Sequence, residues 1–325
     1  MASFLDELRE RIHNWTESLW DDEEDGFRMN AKVGVNVMTT TDVAWMRYAT
    51  DDEEICGGHR QDWVGYLQRR QDPKTGIVAH DPGPAGQGHS NGHALWQTVR
   101  ALNILGDDLL DFPHYLRGVA TPDGLASWFD SIVWDGPKSN HHEVLALTPF
   151  LAGLNDPDWT EMFYRKIAEQ QDPTTGAWPR GKVNISRTFA YTCLHRAAGR
   201  MPPRPEKIVN TILSLQKPSG FWEDEPRFLT MDSTYILARL PKLLDHRTEE
   251  ARNALHRLLP ALRKFYEEHR GRIEENPHWM SAIVHTFSLL QETFPNDLPS
   301  RRRHRFDWDD PAMYYCEAIA QEKKL

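Results

Sequence analysis

A small set of titratable side chains stands at or near the starts of otherwise apolar segments: Asp42; His89 and His93; His141, His142 and Glu143; Arg187 and Tyr191; Asp232; and His278. Each such group is costly to bury unless it finds a partner, so their concentration points to a shared polar site. The chemistry they suit is acid–base work at a sugar. A histidine or tyrosine moves a proton near neutral pH, a carboxylate acts as its counterpart, and an arginine holds an anionic substituent such as a uronate. On this reading His142, Tyr191, Glu143 and Asp232 are the catalytic candidates, while Asp42, His89, His93, His141, Arg187 and His278 bind substrate. A glycosidase instead needs two carboxylates across the scissile bond, for which Glu143, Asp232 and Asp42 are the candidates. Trp178 and Trp222 add indole faces of the kind that stack on sugar rings.

Each residue also has a plainer explanation. Asp42 and Asp232 suit helix N-caps. The run His141-His142-Glu143 suits a solvated helix start, Arg187 an ion pair with a neighbouring acid, and Tyr191 the core. His89 and His93, at i and i+4, share one helical face and make half a metal site. With no HExxH motif and no spacing for further ligands, neither a metal nor another cofactor is expected. Gly88-His89-Ser90-Asn91-Gly92 fits G-x-S-x-G, but Pro82-Gly83-Pro84 precedes it where a nucleophile elbow requires a strand. The functional reading therefore rests on the set and not on any one member.

The elements that position this set are punctuated by a repeated turn. Gln71-Asp72-Pro73-Lys74-Thr75-Gly76, Gln171-Asp172-Pro173-Thr174-Thr175-Gly176-Ala177-Trp178 and Gln216-Lys217-Pro218-Ser219-Gly220-Phe221-Trp222 each follow an amphipathic run. In each, proline suits the second turn position and glycine takes positive φ to close it. With Gly26, Gly136 and Gly271 as weaker markers, turns recur every 40–60 residues, which is the period of a two-helix repeat. The first helix of each unit carries a charged stripe, as in Glu161, Arg165, Lys166 and Glu169, and the second is more apolar, as in Val144-Leu145-Ala146-Leu147. An amphipathic helix faces water and an apolar one is surrounded, so inner and outer layers are expected. No segment alternates with period two between hairpin turns, and the fold class expected is all-α.

An aliphatic residue, three residues, Gln, a few residues and then Gly-x-Trp resembles the QW motif of terpenoid cyclases. Ile167, Gln171, Gly176 and Trp178 match it, as do Ile212, Gln216, Gly220 and Trp222; Leu67, Gln71 and Gly76 match with Val78 in the aromatic place. The resemblance implies the α/α toroid shared by terpenoid cyclases, protein prenyltransferase β subunits, polysaccharide lyases and several glycosidases. The architecture it implies is an (α/α)6 toroid of six helical hairpins over residues 1–300, with a C-terminal tail over 301–325 that carries a short helix. Toroid lyases combine His, Tyr and Arg in the manner described above. Asp307-Trp308-Asp309-Asp310 resembles the DxDD acid of class II terpene cyclases, which would make Asp309 the alkene-protonating acid. It departs from that family in lying near the C-terminus, in being followed by Pro311 where Thr is usual, and in belonging to one toroid where two are usual. Acids in the first turn of a helix over 311–321 explain the same residues. A prenyltransferase zinc set is not matched by Cys193 or Cys316.

Composition narrows the classes further. Over 325 residues, 39% are hydrophobic and 26% charged, enough for a packed interior. A formal net charge of -10 argues against nucleic acid and anionic membrane surfaces as partners. No run of about 18 apolar residues is present, and the N-terminus lacks the basic start and apolar core of a signal peptide. Cys56, Cys193 and Cys316 have no CxxC spacing and suit a reducing cytoplasm. The basic run Arg301-Arg302-Arg303-His304-Arg305 reads as a solvated hinge. The expectation is a lyase or hydrolase of uronic-acid-containing oligosaccharides, with a terpenoid-cyclase-like enzyme acting through Asp309 and a non-catalytic scaffold or binding protein as alternatives. A small molecule or oligosaccharide is the expected partner, and the oligomeric state is left open.

Overall fold

The computed structural model describes residues 3–52, 55, 58–79, 91–136 and 139–322, apart from the side chains of His141, His142 and Glu322. Local chemistry accounts for most of its elements. In α1 (Phe4–Glu17) the Ser3 side chain accepts from the Asp6 N–H while the Asp6 side chain accepts from the Ser3 N–H, a reciprocal cap. A small antiparallel meander follows: β1 (Trp20–Asp21), β2 (Gly26–Asn30) and β3 (Val33–Val35). It pairs Trp20 with Phe27 and Arg28 with Val35. This departs from the expectation of a bare turn at Gly26, because strands this short are set by Phe27 packing on Trp63 and not by a readable alternation.

The remaining chain is predominantly helical: α2 (Val37–Ala49), α3 (Arg60–Arg69), α4 (Asn91–Leu105), α5 (Pro122–Asp130), a 3-10 helix (His141–Leu147) running into α6 (Thr148–Gly153), α7 (Pro157–Glu169), α8 (Ile185–Ala197), α9 (Pro205–Ser214), α10 (Phe228–Leu244), α11 (Thr248–Glu274), α12 (Pro277–Thr293), a 3-10 turn (Pro311–Tyr314) and α13 (Glu317–Glu322). Asn36, Asp156, Asn184 and Asn276 cap α2, α7, α8 and α12 through their side chains. α11 runs through Gly271, so the expected turn there is replaced by helix that ends beyond it. Helices α2, α4, α10 and α12 are buried around most of their circumference, whereas α9 and α11 bury one stripe. Along the chain α2 packs on α4, α4 on the 141–147 helix, α8 on α10 and α10 on α12; α12 then packs back on α2.

The repeated turn is a clamp between consecutive units. Gln71 Nε2 donates to the Gly76 carbonyl at 3.3 Å and to Asp111 at 2.6 Å. Gln171 does the same to Gly176 at 2.8 Å and Pro203 at 2.6 Å, and Gln216 to Gly220 and Ala254, both at 2.9 Å. Position 176 (φ +71°) requires glycine twice over, since a Cβ there would also lie 2.9 Å from Ile208 N in the first turn of α9. Trp178 Nε1 donates to the Ile167 carbonyl at 2.8 Å and Trp222 Nε1 to Ile212 at 2.7 Å. The aliphatic residue and the tryptophan of the motif are thus joined by one hydrogen bond.

The C-terminal segment is part of the interior. His304 is fully buried and its N–H donates to Gln291 Oε1 at 2.7 Å, Arg305 N–H donates to the Ala49 carbonyl at 2.7 Å, and both Arg302 and Arg305 pair with Asp51. With the Arg301 N–H donating to Asp6 Oδ1 of α1 at 3.0 Å, the basic run is a strap tied to α1, α2 and α12 and not a hinge, although Arg301, Arg303 and Arg305 are exposed as a solvated run requires.

Candidate functional site at the starts of the buried helices

The starts of α8, α10, α12 and the first half of α2 lie at the same end of the molecule, as their side-chain contacts show. His278 at the start of α12 places its ring 4.2 Å from that of Phe228, the first residue of α10. Its Nδ1 lies 2.8 Å from Asp42 Oδ2 on α2. Asp42 is fully buried while the His278 side chain is 18% exposed, so the pair runs from the interior to an accessible edge. A carboxylate only accepts, which assigns the Nδ1 proton to the imidazole and makes Nε2 the basic nitrogen. Asp42 is in the interior of α2 and does not cap it; Asn36 does. The N-cap explanation for Asp42 fails because the helix starts earlier than its threonines suggest.

A second cluster sits where α8 meets α10. Asp232, 2% exposed, also lies within its helix and not at the cap. Burial pushes its carboxyl well above the usual range; a hydrogen bond from Ser186 and the charge of Arg187 oppose this, and Glu223 reinforces it. Glu223 is itself raised by burial, although it accepts from the Arg227 N–H at 2.7 Å and the Thr230 N–H at 2.9 Å. Glu223 is absent from the sequence-derived set; its position directly after Trp222 of the repeated turn is the signal that points to it. Arg187, 3% exposed, is lowered to about 10 by burial, against the pull of Tyr191 and Asp232, and remains a cation at neutral pH. Its Nε has no hydrogen-bond partner, nor has the hydroxyl of Tyr191. Tyr191 is 1% exposed, held as a phenol by burial, and packed between Trp134 and Trp178.

Beside this cluster lies a cleft of about 400 Å³ lined by Trp134, Lys182, Asn184, Ser186 and Arg187 among others. It adjoins the N-terminus of α8, where the helix dipole favours negative charge.

The other expected site residues are placed elsewhere or serve structure. Glu143 Oε2 accepts from the Gly92 N–H at 3.1 Å, and a Cβ on Gly92 would lie 2.7 Å from Glu143 Cα, so this acid closes the first turn of α4. His93 is 8% exposed and packs on Trp96 at 5.5 Å. Trp178 and Trp222 are corrected outright: both are buried and spend their indole N–H on their own hairpins, which leaves no face for a sugar. His89 lies outside the described residues, as do the side chains of His141 and His142, whose backbone starts a 3-10 helix. Among the described residues no group of three or more His, Cys, Asp and Glu is arranged to hold a metal ion.

Asp307–Asp310 makes its own set of contacts. Asp307 accepts from the Tyr48 hydroxyl at 2.8 Å, Asp309 from the Tyr235 hydroxyl at 3.0 Å with Arg239 Nε at 3.8 Å, and Asp310 accepts from the Ala312 N–H at 2.9 Å. Trp308 is buried against Trp45, Trp96, Phe189 and His285, from four different helices. Asp309 is thus committed to a phenol and a guanidinium beside an aromatic plug.

No protein-family model, curated protein or solved structure matches this chain.

Proposed function

We propose that the chain is an (α/α)6 toroid enzyme that carries out acid–base chemistry on an oligosaccharide, as a lyase or a hydrolase, at the end where the buried helices start. The return packing of α12 on α2 supports the ring, and the observation that carries the chemistry is the Asp42–His278 pair bridging those two helices. In this reading Asp42 orients His278 and stabilises its protonated form, and His278 Nε2 accepts the proton from the substrate or from water. Asp232, kept towards its neutral form by burial, supplies the proton to the leaving oxygen. The test is turnover of a panel of acidic and neutral oligosaccharides by the wild type and by His278→Asn. The expected loss is about 10²–10⁴-fold, the range of a positioned general base. Undiminished turnover in His278→Asn, or no turnover of any oligosaccharide by the wild type, removes the reading.

A further inference from the structure

We propose that the cleft at the start of α8 is a receptor for the carboxylate of an acidic sugar residue, with Arg187 as its anion ligand and Trp134 as its stacking platform. This rests on the carbohydrate reading above and adds which sugars the site takes. An arginine that is 3% exposed would ordinarily be neutralised by an acid, yet Arg187 makes no ion pair among the described residues and its Nε is unpartnered. Asp232, the nearby acid, has its carboxyl pushed up by burial, which weakens it as a partner for that charge. Arg187 instead lines the cleft, beside the N-terminus of a 13-residue helix. Both features favour an anion, and the planar fork of arginine matches the two oxygens of a carboxylate.

The remaining lining residues suit a sugar in place of a bare ion. Lys182 Nζ is tied to Asp135 Oδ1 at 3.1 Å on the rim, so these two cancel and Arg187 supplies the net charge. Trp134 offers a ring, and the Asn184 side-chain NH2, on the residue whose oxygen caps α8, offers a donor to ring hydroxyls. A volume of about 400 Å³ lies at the small end of ligand sites, which suits one or two sugar residues.

The experiment is calorimetric titration of the full-length protein with glucuronate, glucose and inorganic sulfate. Glucuronate is expected to bind at least about tenfold more tightly than glucose or sulfate, a difference of about 1.4 kcal/mol. Arg187→Gln is expected to remove that preference, Arg187→Lys to restore part of it, and Trp134→Ala to weaken both sugars without altering their ratio. Equal binding of glucuronate and glucose overturns the assignment, as does wild-type affinity in Arg187→Gln. Sulfate binding as tightly as glucuronate overturns the sugar part of it. If Arg187→Gln fails to fold, the Lys and Trp134 variants decide. Arg187-dependent glucuronate binding without turnover of any oligosaccharide upholds the receptor and removes the enzyme reading. Turnover of neutral and acidic oligosaccharides alike, independent of Arg187, removes the receptor and leaves the enzyme.

Discussion

Arg100 and Arg187 are the same residue type on two buried helices, both nearly inaccessible and neither in an ion pair among the described residues, but their surroundings differ. Arg100 is enclosed by aromatic faces: Trp45 at 4.3 Å, Trp308 at 4.4 Å, Tyr314 at 5.5 Å and Trp96 at 5.8 Å. Two of these rings, Trp308 and Tyr314, come from the C-terminal segment, which also brings the charge of Asp307 near. Arg187 borders a cleft and has no such enclosure. Desolvation lowers the pKa of both. For Arg100 the fold supplies cation–π contacts, each worth up to about 2 kcal/mol when desolvated. For Arg187 the compensation is left to whatever enters the cleft. Arg100 Nε and Nη1, like Arg187 Nε, have no hydrogen-bond partner, so what separates the two is enclosure by aromatic rings in one case and a bordering cleft in the other.

Four substitutions and a pH series bear on that contrast, in order of expected size. Trp308→Ala removes the ring that Arg100, Trp45, Trp96 and His285 share and is expected to cost about 3–5 kcal/mol in denaturant unfolding. A loss below about 1 kcal/mol would show that the C-terminal segment is not part of the core. Next come the buried histidines His195, His285 and His304, whose values burial lowers to about 4, 3 and 4. Unfolded histidines titrate near pH 6.5, so the unfolded chain binds protons that the native state refuses. Their contribution is complete above about pH 6.5 and is lost as the pH falls towards 4. Each bound proton is worth about 1.4 kcal/mol per pH unit, and His285→Asn is expected to flatten the measured slope by about that amount. An unchanged slope would mean that His285 titrates normally.

Asp232 has the opposite sign. Its folded value is raised, so its stabilising contribution is present at low pH and lost as the pH rises above the unfolded value near 4. Asp232→Asn is therefore expected to raise stability at pH 7 by about 1 kcal/mol, the usual scale for neutralising a strained functional group, with the gain vanishing near pH 4. Destabilisation at pH 7 would instead mark Asp232 as a structural anion. The smallest effect is expected at Arg187, where replacement by Gln should change stability by less than about 1 kcal/mol, because no internal ion pair is broken. A loss comparable to Trp308→Ala would erase the distinction between the two arginines.

The sequence was most legible where the physics is local. Gln71, Gln171 and Gln216 announce their turns, and the structure adds what each amide holds together. Trp178 and Trp222 were misassigned because an indole serving a backbone carbonyl has the same one-letter signature as one serving a sugar. Asp42 and Asp232 resemble caps in sequence, since a threonine run and a serine beside them mimic helix starts that occur earlier.

Composition, turn chemistry and helical periodicity by themselves determined a predominantly helical chain punctuated by a repeated turn, because those signals act over a few residues and survive any later arrangement. Tertiary structure alone decided that Asp42 meets His278, although 236 positions separate them. It likewise decided that Trp308 and Tyr314 enclose Arg100 while Arg187 borders a cleft. Whether a buried charge is satisfied depends on groups brought in from remote segments, and no local pattern encodes which groups those are.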